Sequence, residues 1–238
     1  MSTKKIYLIV SLLFVSATIN SQVLLSLVFG DKLNSDGLEF GLEGGVNWSD
    51  VSELGTKSLA NFNLGFYFDI RLKNNWNLDT GVLVKSTLGT NNLSDEDLTY
   101  LGIVKEEEPG SYSQEISYFI VPILLKYNFK NRIYVEAGPQ VGWMRDAYVE
   151  FNHESDEKDI QIQEFNKDNL NRIDAGVILG TGYKLRDDDG MTLGVKYYYG
   201  LVDVYKDKSG TNNSAFFLKL NVPIGAERAK SKKTKEKE

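Results

Sequence analysis

From Phe62 to Leu72 the chain alternates without a slip. Phe62, Leu64, Phe66, Phe68, Ile70 and Leu72 take every second place, with Asn63, Gly65, Tyr67, Asp69 and Arg71 between them. A period of two over this length dictates a strand with one apolar and one polar face. Similar segments recur at roughly 37–48, 60–72, 76–88, 115–128, 132–147, 170–185, 191–204 and 214–225, which predicts eight strands. Three connections are tight (73–75, 130–132 and 186–190) and four are longer (49–59, 89–114, 148–169 and 205–213). Short and long alternate, as in an outer-membrane barrel with short periplasmic turns and longer external loops. Several strands exceed the ~9–11 tilted residues that cross a bilayer. The expected fold is all-β: an eight-stranded antiparallel up-and-down transmembrane β-barrel over 37–225.

If the apolar register faces lipid, the polar register lines the lumen. Glu39, Glu43, Asp69, Asp79, Glu136 and Asp174 then point inward, as do Arg71, Lys85, Lys126, Lys184, Lys196 and Lys219. Six acids against six bases is the balance a closed lumen needs, because a confined charge without a partner is costly. Eleven glycines, from Gly41 to Gly200, fall in the same register. On an open sheet they would only weaken the strands, whereas in a narrow barrel they make room for long side chains opposite. Trp48, Trp76, Trp143, Tyr127, Tyr183 and Tyr199 fall outward near strand ends, as interfacial aromatic girdles do. A soluble lipid-binding barrel, with both faces reversed, is the competing arrangement.

Composition adds limits. The start, "MSTKKIYLIVSLLFVSATINSQ", has two lysines, an apolar core at 6–15 and a small polar exit, the layout of a secretory signal peptide over 1–21. Its core is too short to span a membrane. Residues 22–36 are expected to form an N-terminal periplasmic segment and 226–238 a charged periplasmic tail. The chain has no Cys, which excludes a lipoprotein anchor and disulfide closure. Its formal charge is −6, and about −8 once Lys4 and Lys5 leave with the leader, so nucleic acid is not an expected partner.

Four segments, "SYFIVPILLKYNF" (117–129), "IYVEAGPQVGWM" (133–144), "DAGVILGTGYKL" (174–185) and "GVKYYYGLVDV" (194–204), together resemble the outer-membrane β-barrel family of the Bacteroidetes, called PorT-like or porin-family proteins. The opening "LVFGDKLNSDGLEFGLEGGVNWS" (27–49) is similar to the start of that group. The resemblance covers about residues 23–225. It implies an eight-stranded barrel in a bacterial outer membrane, and no particular activity. The charged extension after Ile224 departs from members that end at the last strand.

Little in the sequence carries chemistry. His153, the one histidine, is flanked by Glu154 and Asp156 but by no fixed orienting partner, and a solvated loop histidine is the expected role. The two longest connections are acidic, with Asp95, Glu96, Asp97 and Glu106–Glu108 in one and Glu150, Glu154, Asp156, Glu157, Asp159, Glu164 and Asp168 in the other. Such carboxylates could gather divalent cations bridging lipopolysaccharide, although no calcium-loop spacing is present. The expectation is a non-enzymatic structural or binding barrel without cofactor, acting through acidic external loops and surrounded by outer-membrane lipid. A narrow ion or small-solute channel is the alternative, disfavoured because twelve charges with Tyr67, Tyr134 and Tyr198 would fill an eight-stranded lumen.

Overall fold

The computed structural model describes residues 37–153, 159–185 and 190–224. The expected leader, the segment 22–36, most of the turn at 186–190 and the tail 226–238 lie outside the described residues. Nine strands follow in order: β1 (Leu38–Val51), β2 (Leu54–Arg71), β3 (Trp76–Asn91), β4 (Ser111–Asn128), β5 (Ile133–His153), β6 (Ile160–Phe165), β7 (Ile173–Lys184), β8 (Thr192–Tyr205) and β9 (Lys208–Pro223). Among the described residues one α-helix, α1 (Asp95–Leu101), lies between β3 and β4, and a 3-10 turn, Lys167–Asn169, follows β6.

Eight strands, all but β6, close a ring in which each pairs antiparallel with its neighbours and β9 returns to β1. Closure leaves the ring without a free edge. The eight-stranded antiparallel barrel is therefore present. β6 is additional and hangs on the far part of β5, from Tyr148↔Phe165 to His153↔Ile160. The first and last described strands begin and end together at the short-turn end, where Ile224 N donates to Phe40 O at 2.9 Å.

The long connections are not the open loops that the sequence suggests. β1 and β2 run on until only Ser52 and Glu53 separate them, with Glu53 at φ 64°. β8 and β9 are joined by Lys206 and Asp207, and β5 extends for 21 residues. The pattern hides this because alternation slips. Leu54 and Leu59 are both buried although five residues apart, a spacing that only an irregular strand can reconcile.

Irregularities recur at nearly one level of the ring: between Ser49 and Val51, Ser58 and Leu64, Leu83 and Ser86, Ser117 and Tyr118, and Tyr199 and Asp203. On β2, β3 and β5 the slip moves the inward set by one residue. On β3, Asp79, Gly81 and Leu83 face in on one side of the slip, and Ser86, Leu88 and Thr90 on the other. On β5 the inward set changes from Glu136, Gln140 and Met144 to Ala147, Val149 and Phe151.

The slips divide the barrel into two bodies. Toward the short turns the outer face is apolar and exposed, with Phe119, Val121, Ile123 and Leu125 on β4 and Val177 and Leu179 on β7. Beyond the slips apolar side chains face inward. There Val51, Leu54, Leu88, Ile116, Ala147, Val149, Phe151, Leu170 and Val204 form a buried cluster, and β4 presents Ser113, Glu115 and Ser117 on its other side. Helix α1 closes this end by inserting Leu98, with Leu93 just before it. The polar lumen expected along the whole barrel thus occupies only the half near the short turns.

Candidate functional site: a charged lumen under an apolar cap

The lumen of the first half is packed with paired charges. Lys126 Nζ lies 2.6 Å from Asp69 Oδ2 and 3.5 Å from Asp79 Oδ2. Lys219 Nζ is 2.7 Å from Glu136 Oε1 and 4.0 Å from Asp79, and Lys196 Nζ is 2.9 Å from Glu43 Oε1. All seven of these side chains except Asp69, at 8% exposure, are less than 5% exposed. Charges this deep persist only when paired, since an isolated ion would face a large desolvation penalty. The paired set is Glu43, Asp69, Asp79, Glu136, Lys126, Lys196 and Lys219, and Asp174 stands apart from it.

Asp174 Oδ2 accepts from Asn213 Nδ2 at 3.1 Å, and the same amide donates to Tyr118 Oη at 3.2 Å. Glu39, half-buried near the rim, accepts from Tyr67 Oη at 2.9 Å. Lys184 is half-buried.

Two expected lumen residues stand elsewhere. Lys85 is on the outer surface: the slip between Leu83 and Ser86 pairs it with outward Leu64 and leaves it exposed. Arg71 ends β2 and is exposed at the short-turn rim, where the barrel wall stops. The expected balance of six against six does not describe this lumen.

Tyrosines fill what the charges leave. Tyr67, Tyr134 and Tyr198 are at most 2% exposed, and the Tyr134 ring lies under Lys126 Nζ at 4.5 Å. Glycine makes this possible. A Cβ on Gly182 would come within 2.3 Å of Tyr134 Oη, and one on Gly194 within 2.2 Å. At Gly41 the added atom would meet Tyr67 at 2.4 Å. Glycines on adjacent strands therefore let the tyrosine rings lie flat along the inner wall.

The outer aromatics form two bands. Trp76 packs against Tyr127 at 4.8 Å, with Phe129 4.9 Å beyond and exposed Tyr183 at the same end. At the other band Trp48 meets Phe216 at 6.1 Å, and Trp143 and Tyr199 are exposed. The second band coincides with the strand slips.

The cap carries its own polar joints. Gln114 is fully buried, accepts from Asn166 Nδ2 at 2.6 Å and from Tyr205 Oη, and donates to Tyr148 O at 3.0 Å. These bonds tie β4, the turn after β6, β8 and β5 together. Helix α1 begins with a capping box, Ser94 N donating to Asp97 Oδ2 at 2.7 Å and Asp97 N to Ser94 Oγ at 3.1 Å, and ends at Gly102 with φ 74°. This helix lies within a connection, 89–114, that the strand pattern leaves without an element. The signal was the S-D-E-D run before Leu98, with Gly102 as the stop.

The acidic connections are partly structural. Asp97 caps α1, Asp95 pairs with Lys105 at 2.7 Å, and Glu150 accepts from Asn152 and Gln163, both at 2.8 Å. Among the described residues no group of three or more His, Asp or Glu side chains converges to hold a metal ion. Glu154, Asp156 and Glu157 lie outside them. His153 ends β5 with Nδ1 2.6 Å from Pro109 O.

The sequence matches the family described as "Outer membrane protein beta-barrel domain" over residues 26–206. No curated protein matches it significantly. Among solved structures, it is similar to Ail, the attachment invasion locus protein of Yersinia pestis (10% identity, 79% of this chain and 99% of that chain, TM-score 0.42). It is also similar to OprG from Pseudomonas aeruginosa (11% identity, 79% and 93%, TM-score 0.35) and to AlkL (17% identity, 80% and 92%, TM-score 0.34). The matched segment spans β1 to β8 of a closed eight-stranded ring, and the chain belongs to the outer membrane protein β-barrel domain family.

Proposed function

We propose that this outer-membrane β-barrel protein is a non-conducting, non-enzymatic barrel that acts through its capped end, as a structural or binding element. In this reading the cap projects outside the cell, both termini are periplasmic, and the protein is of the PorT-like type of the Bacteroidetes. The observation that carries the reading is the filled interior. Seven interlocked buried charges and three tyrosines occupy one half, and an apolar core under α1 occupies the other. A solute path would have to cross both. The strand slips support the orientation, because a water-soluble fold belongs on the long-connection side, where external loops lie.

Two experiments test it. The purified barrel in a planar bilayer should stay silent while showing the heat-dependent gel shift of a folded barrel; steady discrete openings would overturn the non-conducting reading. Because the chain has no Cys, Glu107→Cys and Asn131→Cys can report sidedness on intact cells. A membrane-impermeant maleimide should label Glu107→Cys alone, and labelling of Asn131→Cys alone would invert the orientation.

A further inference from the structure

The slip that removes Lys85 from the lumen places it on the outer surface at the second aromatic band. Phe119 on β4 lies opposite the bulged Val84–Lys85 step on one side, between the pairs Leu83↔Ile120 and Ser86↔Tyr118, and pairs with Trp143 on the other. Arg145, displaced by the slip on β5, reaches back across β4. Its Nη1 donates to Val84 O at 3.0 Å and its guanidinium lies over the Phe119 ring at 5.0 Å. Lys167 joins from the turn after β6, its Nζ donating to Arg145 O. Lys85, Arg145 and Lys167, from three elements, are thus linked through the backbone oxygens of Val84 and Arg145 at the level of Phe119 and Trp143.

No carboxylate neutralises them among the described residues: the ion pairs there involve Lys105, Lys126, Lys196 and Lys219. Two acids of the adjoining strand segments have other hydrogen-bond partners. Asp146 Oδ1 accepts from Ala147 N at 3.0 Å, and Glu115 Oε2 from Tyr148 Oη at 3.0 Å. Arg145 keeps most of its donors free, and its position over a ring holds the guanidinium at the depth of the band, where lipid headgroups lie.

The geometry points to a binding site for the phosphorylated headgroup of a membrane lipid, formed by Lys85, Arg145 and Lys167 above Phe119 and Trp143. Arg supplies a fork that matches phosphate oxygens, the lysines add point charge, and the exposed aromatics flank the first acyl carbons. The site rests on the reading that the aromatic band marks a bilayer interface. With the cap outside the cell, the ligand is the phosphate of lipid A; a phospholipid phosphate is the other source of the same chemistry.

The test is native mass spectrometry of the full barrel purified from membranes in detergent, titrated with lipid A, phosphatidylglycerol or phosphatidylcholine. This readout does not depend on orientation in the cell, and the gel shift reports folding separately. The wild type should retain anionic lipid over phosphatidylcholine. Lys85→Gln alone should weaken that retention about fivefold, since a cation near the headgroup plane contributes about 1 kcal/mol. The triple variant Lys85→Gln, Arg145→Gln, Lys167→Gln should lose it. A charge-matched control on the cap, Lys57→Gln with Lys105→Gln and Lys208→Gln, should keep it. Preference for lipid A over phosphatidylglycerol assigns the site to lipopolysaccharide, and equal retention assigns it to phospholipid. No wild-type preference over phosphatidylcholine, unchanged binding by a folded Lys85→Gln protein, or equal loss in the control overturns the proposal.

Discussion

The two halves of the barrel are built from the same strands and solve opposite problems. Near the short turns the solvent is hydrocarbon, so Leu179 is 70% exposed while Lys196, on the neighbouring strand, is 1% exposed. Beyond the slips the solvent is water, and Leu88 and Ile116 are fully buried while Lys57 and Ser58 are exposed. Alternation is preserved in both; its phase changes on β2, β3 and β5, while β1 and β4 keep phase and change the residue types they turn inward. A β-bulge is the smallest device that can do this, because one extra residue exchanges the two faces of everything after it. The lesson is that "apolar outside" is a property of a strand segment and its surroundings, not of a strand.

The largest expected effect attacks the charged half. Lys219→Met leaves Glu136 and Asp79 buried without their shared cation, and should cost about 3–5 kcal/mol in urea titrations of folding into lipid bilayers. Adding Glu136→Gln should recover part of that loss, because it removes the stranded charge. If Lys219→Met folded as well as wild type, the lumen pairs would not be holding the barrel closed.

In the cap the equivalent test is a cavity. Leu88→Ala should cost about 2–5 kcal/mol of local stability, as in the core of a water-soluble protein. Hydrogen exchange should accelerate in α1 and the far parts of β3 and β4, while the strands below the slips keep their protection. Uniform acceleration would mean that the two halves unfold as one.

A reciprocal pair then tests the inversion itself. Leu179→Lys puts a cation on the lipid face of β7 and should cost about 2–4 kcal/mol if that site lies near the midplane. Lys57→Leu makes the reverse exchange on the outer face of the cap and should stay within about 0.5 kcal/mol. Equal costs would contradict a boundary between lipid and water at the slips.

The ring of eight strands was legible because lipid-facing segments such as 62–72 and 119–125 keep phase for their whole length. Inward placement of Glu43, Asp69, Asp79, Glu136, Lys126, Lys196 and Lys219 followed from that phase. Lys85 did not, because it stands two residues past Leu83 on a strand that had already slipped. The cap was illegible for the same reason. Leu54 and Leu59, or Met144 and Ala147, have the wrong spacing for one face of a regular strand, so their shared burial looks like loop. The cation cluster was hidden further, since Lys85, Arg145 and Lys167 meet only across three elements.

The smallest effect separates structural acids from binding acids in the cap. Ser94 Oγ accepts from Asp97 N, and Asp97 Oδ2 also lies 3.3 Å from Gly55 N, so this carboxylate links α1 to the tip of β2. Ser94→Ala should remove one joint at a cost of about 1 kcal/mol. The amides of Leu98 and Gly102, which donate to Ser94 O and Thr99 O, should exchange roughly fivefold faster. Global stability should not change, because α1 sits on the barrel without belonging to its ring. If exchange at these amides were unaltered, the acids of α1 would be free of structural duty and available to a ligand; if it rose as expected, at least Asp97 is spent on the fold.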